Sequence, residues 1–267
     1  YITYYIVAQD NTGLTTNVSA SPSTGASGFL VNPPRVTSLP TTFSSYIVKP
    51  TLSGTYLVGT GQLYPTITEA LSAYQSSCLN GPVTFLLTDA VYGTNSTSGL
   101  SENFPLVISN NPQASATNTL TIKPNTGVNT VIAGKSADAI IRFNGANYVT
   151  IDGSNAGNTT RSLTIRNDTA STNSTVIWIS SLNNTVGSTN NIIQNATIIG
   201  NATVNTFSGI IMGGASSTTS PADAPNSNNS IINNAISSSY HGIYFNGFAA
   251  GESGNIISGN KIGRAHV

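Results

Sequence analysis

A short strand-like segment recurs four times in the second half of the chain, as Ala139-Ile-Ile-Arg-Phe-Asn-Gly145, Val176-Ile-Trp-Ile-Ser-Ser181, Gly209-Ile-Ile-Met-Gly-Gly214 and Gly242-Ile-Tyr-Phe-Asn-Gly247. Aligned on Ile141, Ile177, Ile210 and Ile243, successive copies lie 36, 33 and 33 residues apart. A period of this length marks stacked repeats, each of which is too small to bury its own apolar face. A second strand follows each copy, reading Tyr148-Val-Thr-Ile-Asp-Gly153, Asn191-Ile-Ile-Gln-Asn195, Ser230-Ile-Ile-Asn-Asn234 and Asn255-Ile-Ile-Ser-Gly-Asn260. These β-branched runs end in Asn or Gly, the residues that accept a positive φ at a corner. A third short strand is visible at Leu163-Thr-Ile165 and Ile198-Ile199 and is ambiguous in later copies. Three strands per repeat, no helical periodicity and Asn/Gly-rich corners predict an all-β fold, a right-handed parallel β-helix whose inward side chains stack into one core.

Composition supports that reading. Charged residues make up 7% of the chain, against roughly 25% in average soluble proteins. Solubility therefore rests on Ser, Thr and Asn, a pattern expected of secreted solenoids. Nine basic and nine acidic residues give zero net charge without a basic cluster, so nothing marks a nucleic-acid partner or an anionic membrane surface. No stretch has the length of a membrane span. The single cysteine, Cys78, excludes an internal disulfide and is expected as a buried thiol on an apolar helix face.

That helix is predicted over 66–79. Thr66 and Glu69 have the spacing of a capping box, and Ile67, Ala70, Leu71, Tyr74 and Cys78 fall on one face before Asn80-Gly-Pro82 ends it. Such a helix would cover the open end of the first coil, and Val83, Phe85 and Leu87 would begin the stack. Ahead of it, Tyr1 to Ala8, a turn at Asp10-Asn-Thr-Gly13 and a weaker strand from Thr15 to Ser19 resemble the last strands of an immunoglobulin-like or fibronectin type III-like module over 1–32. Residues 33–53 read as a Pro/Ser/Thr-rich linker with a possible edge strand at Tyr46-Ile-Val48, leaving 54–261 as the β-helix. The last six residues, Ile262 to Val267, are what ATC GGA AGA GCA CAC GTC encodes, the start of a sequencing-library adapter, so the natural coding sequence is expected to stop near Lys261.

The run Gly54 to Tyr92, with Thr119-Leu-Thr-Ile-Lys-Pro124, Val131-Ile-Ala-Gly134 and Tyr148-Val-Thr-Ile-Asp-Gly153, resembles the pectin-lyase-like β-helix segments of large modular surface proteins secreted by gliding, polysaccharide-degrading bacteria. The resemblance covers roughly 54–261. It implies an extracellular setting, flanking domains in the same polypeptide and a part in adhesion, spacing or carbohydrate binding. No cofactor and no metal are implied.

The fold also hosts lyases and hydrolases, which need converging carboxylates. Asp138, Asp152 and Asp168 are the candidates, and Tyr240-His-Gly242 is similar to a hydrolase His-Gly element, but an Asp-Asp pair and an Arg-x-Lys are lacking. Asp152-Gly153 reads more simply as an Asx turn and His241 as a corner residue. For binding, strand alternation turns Arg142, Trp178, Ile211 and Tyr244 outward if Ile141, Phe143, Ile177, Ile179, Ile210, Met212, Ile243 and Phe245 point inward. Trp178 and Tyr244 would then lie two coils, about 9.6 Å, apart, suited to stacking on an extracellular polysaccharide or cell-surface glycan. Arg142, Trp178 and Tyr244 are the candidate ligand-binding residues. In the competing reading a long loop folds over this stripe and buries it as a second core. The insertions Ser181 to Asn190, Ala215 to Asn229 and Phe248 to Gly254 all leave the same strand and should project from one side of the solenoid.

Overall fold

Inward and outward positions alternate strand by strand: Val83, Phe85 and Leu87 are fully buried, while Thr84 and Leu86 between them are partly open. The same inward-outward pattern recurs in Leu120–Pro124, Val149–Asp152 and Leu106–Ser109. A computed structural model describes residues 2–4, 6–9, 15–18, 44–46, 49–93, 101–157 and 159–263. The chain divides into two units, Tyr1–Pro50 and Thr51–Val267.

In the second unit every pairing between strands is parallel, and each strand's neighbours come from the coil before and the coil after. The first sheet runs Thr51–Val58, Cys78–Leu87, Leu120–Pro124, Val149–Asp152, Ile192–Gln194, Ser230–Ile232 and Ile256–Ser258. The second runs Val91–Gly93, Thr130–Gly134, Leu163–Asn167, Ala196–Ile199, Ala235–Ser237 and Lys261–Ile262. The third runs Leu106–Ser109, Ile141–Asn144, Ser171–Ser180, Thr206–Gly213 and His241–Phe245. The chain visits first, second and third sheet in turn and returns in parallel, which defines a parallel β-helix. Crossovers of this kind wind right-handed in about 98% of cases.

The registers are those the repeat demands. Ile141 pairs with Ile177, Ile177 with Ile210 and Ile210 with Ile243. The third sheet has a fifth copy that sequence reading passed over, with Leu106 opposite Ile141. Leu106–Ser109 follows a proline and carries Leu where the other copies carry the aligned Ile. The third strand of the later coils, ambiguous in sequence, is Ala235–Ser237 and then Lys261–Ile262.

Corners carry the backbone chemistry. Before the first sheet, Tyr148, Asn190, Asn228 and Gly254 stand at φ of 57°, 58°, 59° and 70°. After it, Asn195, Asn233 and Gly259 do so at 56°, 52° and 63°. A ladder of buried amides runs beside these corners. The Asn191 Oδ1 accepts from Val149 N, the Asn229 Oδ1 from Asn191 N and the Asn255 Oδ1 from Asn229 N, at 2.9 to 3.0 Å. Their Nδ2 groups donate to Ala146 O, Ser188 O and Asn226 O. Asn234 and Asn260 form a second such stack. Each side-chain amide thus extends the inter-coil ladder through a turn whose backbone groups would otherwise be buried without partners. At Gly153 the coils come so close that a Cβ would meet the Asn195 carbonyl.

The helix is Ile67–Ser76, with Ile67, Ala70, Leu71 and Tyr74 buried. Half of the expected capping box forms: Thr66 Oγ1 accepts from Glu69 N at 3.1 Å. The carboxylate on the free amides of the first turn belongs instead to buried Glu102, which accepts from Ile67 N at 2.7 Å and Thr68 N at 2.9 Å. The helix packs on Leu106–Ser109, the edge of the third sheet, where Gln75 Nε2 donates to Val107 O at 2.7 Å. Two expectations are corrected here. Asn80-Gly-Pro82 does not stop the helix but lies within Cys78–Leu87, where it forms an irregularity between the Leu52–Leu79 and Gly54–Val83 pairs. Cys78 opens that strand and is half-buried rather than sealed on the helix face, because the helix has ended at Ser76.

In the first unit, Ile6–Gln9 pairs antiparallel with Thr15–Val18, and Ile2–Tyr4 pairs antiparallel with Ser44–Tyr46. Residues 51–53 of the expected linker belong instead to the strand Thr51–Val58, where Leu52 is buried opposite Leu79. Apart from these and residues 49–50, the remainder of the expected sandwich remnant and linker, and residues 264–267 of the adapter-like terminus, lie outside the described residues. Ile262 itself pairs with Ile236.

Candidate functional site

The outer face of the third sheet carries Arg142, Trp178 and Tyr244, the residues expected to form a binding stripe. Arg142 stands opposite Val107 and Trp178, Trp178 opposite Ile211, and Ile211 opposite Tyr244, so the expected stripe exists in register. Its burial is that of the competing reading, a second core under a folded loop. Trp178 is only 2% exposed and forms a second apolar cluster with Ala139 and Ile211, against which Phe207 and Tyr244 pack. The cover has two parts. The Arg142 guanidinium lies 4.1 Å above the indole ring, a cation-π contact, and the Ala215 to Asn229 insertion folds back over the sheet. That insertion is pinned by Arg142 Nη2 to Ala215 O at 2.6 Å and by Asn246 Nδ2 to Thr219 O at 2.7 Å. Asp223 ties its base, accepting from Ala215 N and from Ser181 Oγ. The loops that composition marks as polar projections are therefore hydrogen-bonded structures. Among inward residues, Ile243 is half-buried and Phe245 is 37% exposed, since no described strand follows theirs in the third sheet.

Two of the concavities on this face lie away from the helix. The first, about 550 Å³, is a groove lined by Asp138, Arg142, Asn173, Trp178 and the loop Ala215 to Thr219. Arg142 Nη1 pairs with Asp138 Oδ2 at 3.2 Å, so the groove's one cation and one anion cancel. The indole Nε1 of Trp178 is a buried donor without a hydrogen-bond partner. The second, about 330 Å³, is an apolar hollow lined by Thr172, Val204, Thr206, Phe207 and Tyr240. Tyr240 is 47% exposed and Val204 more so. The Phe207 ring is held edge-on by His241 at 5.1 Å and by Tyr244 at 5.0 Å, and His241 packs edge-on against Tyr240 at 4.6 Å. Thr172 and Asn173, at the irregularity between Ser171 and Thr175, stand between hollow and groove.

Tyr244 is thus brought to the aromatic cluster, while Arg142 and Trp178 belong to the groove. Phe207 and Val204 were not singled out in sequence, and Tyr240 only as the first residue of the Tyr240-His-Gly242 element. Carrying the outward alternation of Ile211 two residues further back past Gly209 would have reached Phe207.

The carboxylates considered for catalysis are held apart. Asp138 pairs with Arg142 and Asp168 with Arg166 at 2.7 Å. Asp152 accepts from Ser154 N, the expected Asx turn, and from Asn195 Nδ2. Elsewhere Asp89 binds Thr60, Glu102 caps the helix, Asp223 ties the insertion and Glu252 accepts from Asn226 N and Phe248 N. Seven of the eight described carboxylates therefore brace turns, loops or the cap. Among the described residues no three His, Cys, Asp or Glu side chains come together to hold a metal ion.

No protein-family model matches the chain, and no curated protein sequence matches it. Among solved structures, the pectin methylesterase from Aspergillus niger in deglycosylated form is similar, at 11% identity over 80% of this chain and 88% of that one, with a TM-score of 0.37. The β-helix assignment rests on the three parallel sheets themselves.

Proposed function

We propose that this chain is a β-helix segment of an extracellular modular surface protein, and that it binds carbohydrate through the outer face of its third sheet. One observation carries the reading: Phe207 and Tyr240 line an open apolar hollow, Phe207 held edge-on by His241 and Tyr244 and Tyr240 held edge-on by His241. Flat rings with polar edges suit the apolar face of a pyranose. Rings already held by their neighbours lose little freedom on binding. Exposed apolar surface rimmed by polar groups is a mark of an interaction site, and this hollow is rimmed by Thr172 and Thr206. The low charge content and hydroxyl-rich surface support the extracellular setting. No helix among the described residues is long and apolar enough to cross a membrane.

The role as a spacer is favoured by a separate observation, the unbroken amide ladders that tie one coil to the next. The two roles are compatible. Affinity electrophoresis through gels containing polysaccharide tests the binding role. The wild-type chain should be retarded by at least one glycan, and Tyr240→Ala should abolish most of that retardation while melting at the wild-type temperature. Retardation unchanged in Tyr240→Ala would remove the hollow from the account and leave the spacer.

A further inference from the structure

We infer that the glycan taken by this face is a neutral polysaccharide, and that the groove beside the aromatic hollow holds a second stretch of the same strand through hydroxyl-to-hydroxyl and hydroxyl-to-carboxylate hydrogen bonds. The inference rests on the binding role proposed above and specifies its substrate class.

Charge decides the class. An acidic polysaccharide carries a carboxylate or sulfate on successive sugars, and recognition requires cations that are not already neutralised. On the outer stripe Val107, Arg142, Trp178, Ile211 and Tyr244, the only formal charge is Arg142. Its guanidinium is engaged on every nitrogen: Nη1 with Asp138 Oδ2, Nη2 with Ala215 O at 2.6 Å and Nε with Ser180 Oγ at 3.4 Å. Its plane is laid on Trp178. Arg142 is therefore a clamp that positions the loop, with 18% of its side chain exposed, whereas its partner Asp138 is 35% exposed. The more open member of the pair is the anion, which repels uronate and sulfate and accepts from sugar hydroxyls.

The remaining wall is built of neutral donors and acceptors. Ser216, Ser217, Thr218 and Thr219 line the groove on one side and Asn173 on another. Ser216 and Ser217 share hydrogen bonds with Ser220 at 2.6 and 2.7 Å, which fixes the loop's shape. Thr172 and Asn173, adjacent in the chain, line the hollow and the groove respectively. A strand stacked on Phe207 and Tyr240 could continue past them. Hydrogen-bonding sites of this kind reject ligands that leave their buried groups unpaired or repelled.

The full chain, run in gels containing barley β-glucan or glucomannan on one side and polygalacturonate or alginate on the other, tests the class. The expected result is retardation by at least one neutral polymer and none by the acidic ones. Asp138→Asn, which keeps the shape of the side chain and removes its charge, should lose about tenfold in affinity for the neutral polymer and gain retardation by polygalacturonate, because Arg142 is then uncompensated. Trp178 is the only tryptophan, so its emission reports both folding of the variant and occupancy of the groove. Binding of acidic polymers as tight as of neutral ones would overturn the inference while leaving the carbohydrate role in place. Retardation by no polymer in either set would overturn both.

Discussion

At the scale of single residues, the environment of each aromatic ring decides its part. Trp178 is sealed beneath Arg142 and packed on Ala139 and Ile211, so Trp178→Ala is expected to lower stability by about 3 to 5 kcal/mol and to show as an early thermal transition. Tyr240 stands nearly half in solvent, and Tyr240→Ala should change stability by no more than about 0.5 kcal/mol while weakening glycan retention. Differential scanning calorimetry of the pair separates core from contact residue. Two other tyrosines make a prediction about pH. Burial pushes Tyr74 up to about 12, and burial likewise pushes Tyr92 up to about 12 against the hydrogen bonds it accepts from Thr88 N and Asp89 N. A phenol raised in the folded chain and near 10 in the unfolded one contributes stability that is whole below pH 10 and is lost as pH rises from 10 towards 12. Urea midpoints measured from pH 8 to 12 should be level at first and fall steeply above 10. Tyr92→Phe should reduce that alkaline loss and cost stability at neutral pH, because Val58 O loses the Tyr92 hydroxyl as a donor.

At the scale of elements, hydrogen bonds across coils matter as much as strand alternation. Asn229 accepts from Asn191 N and Asn191 Nδ2 and donates to Ser188 O, all in a buried corner. Asn229→Ala should cost about 1 to 3 kcal/mol for each buried partner left unpaired, read as a shift in the urea midpoint, with Asn229→Asp failing to restore it because Ser188 O would lose its donor. Glu102→Ala should raise hydrogen exchange in Ile67–Ser76 and in the strand under it while sparing the later coils, since the carboxylate holds the helix's first amides. Strand existence and register were readable because Ile recurs at one period and the corners fall at Asn or Gly; the positive φ of Asn195, Asn233 and Gly259 is the conformation those residue types implied. Leu106–Ser109 was not readable, since Leu stands where the other copies carry the aligned Ile. Glu102 was not readable either, because it reaches the helix from 35 residues away, a distance that no local capping pattern encodes. For the site, alternation located the stripe but not its cover: whether Trp178 meets water depends on where the Ala215 to Asn229 insertion folds, and its Ser/Thr-rich composition fits either outcome.

At the scale of the whole molecule, coils joined only to their neighbours should lose structure from the ends inward. The end formed by the last described strands presents Ile256, Ile257 and Ile262, each about half exposed, beside open strand edges. The chain as given is therefore expected to associate through that end, with sedimentation velocity showing species larger than monomer that diminish when Ile256 and Ile257 are replaced by Lys. Between its ends the solenoid offers one face that is aromatic, hydroxyl-rich and free of uncompensated charge, and the account stands or falls on whether carbohydrate lies there. A crystal structure of the chain with a neutral oligosaccharide tests this most directly. A sugar ring should stack within the hollow of Phe207 and Tyr240, with the strand continuing past Asn173 towards Ser216 to Thr219. An oligosaccharide seated on the first or second sheet, with the hollow open, would contradict it.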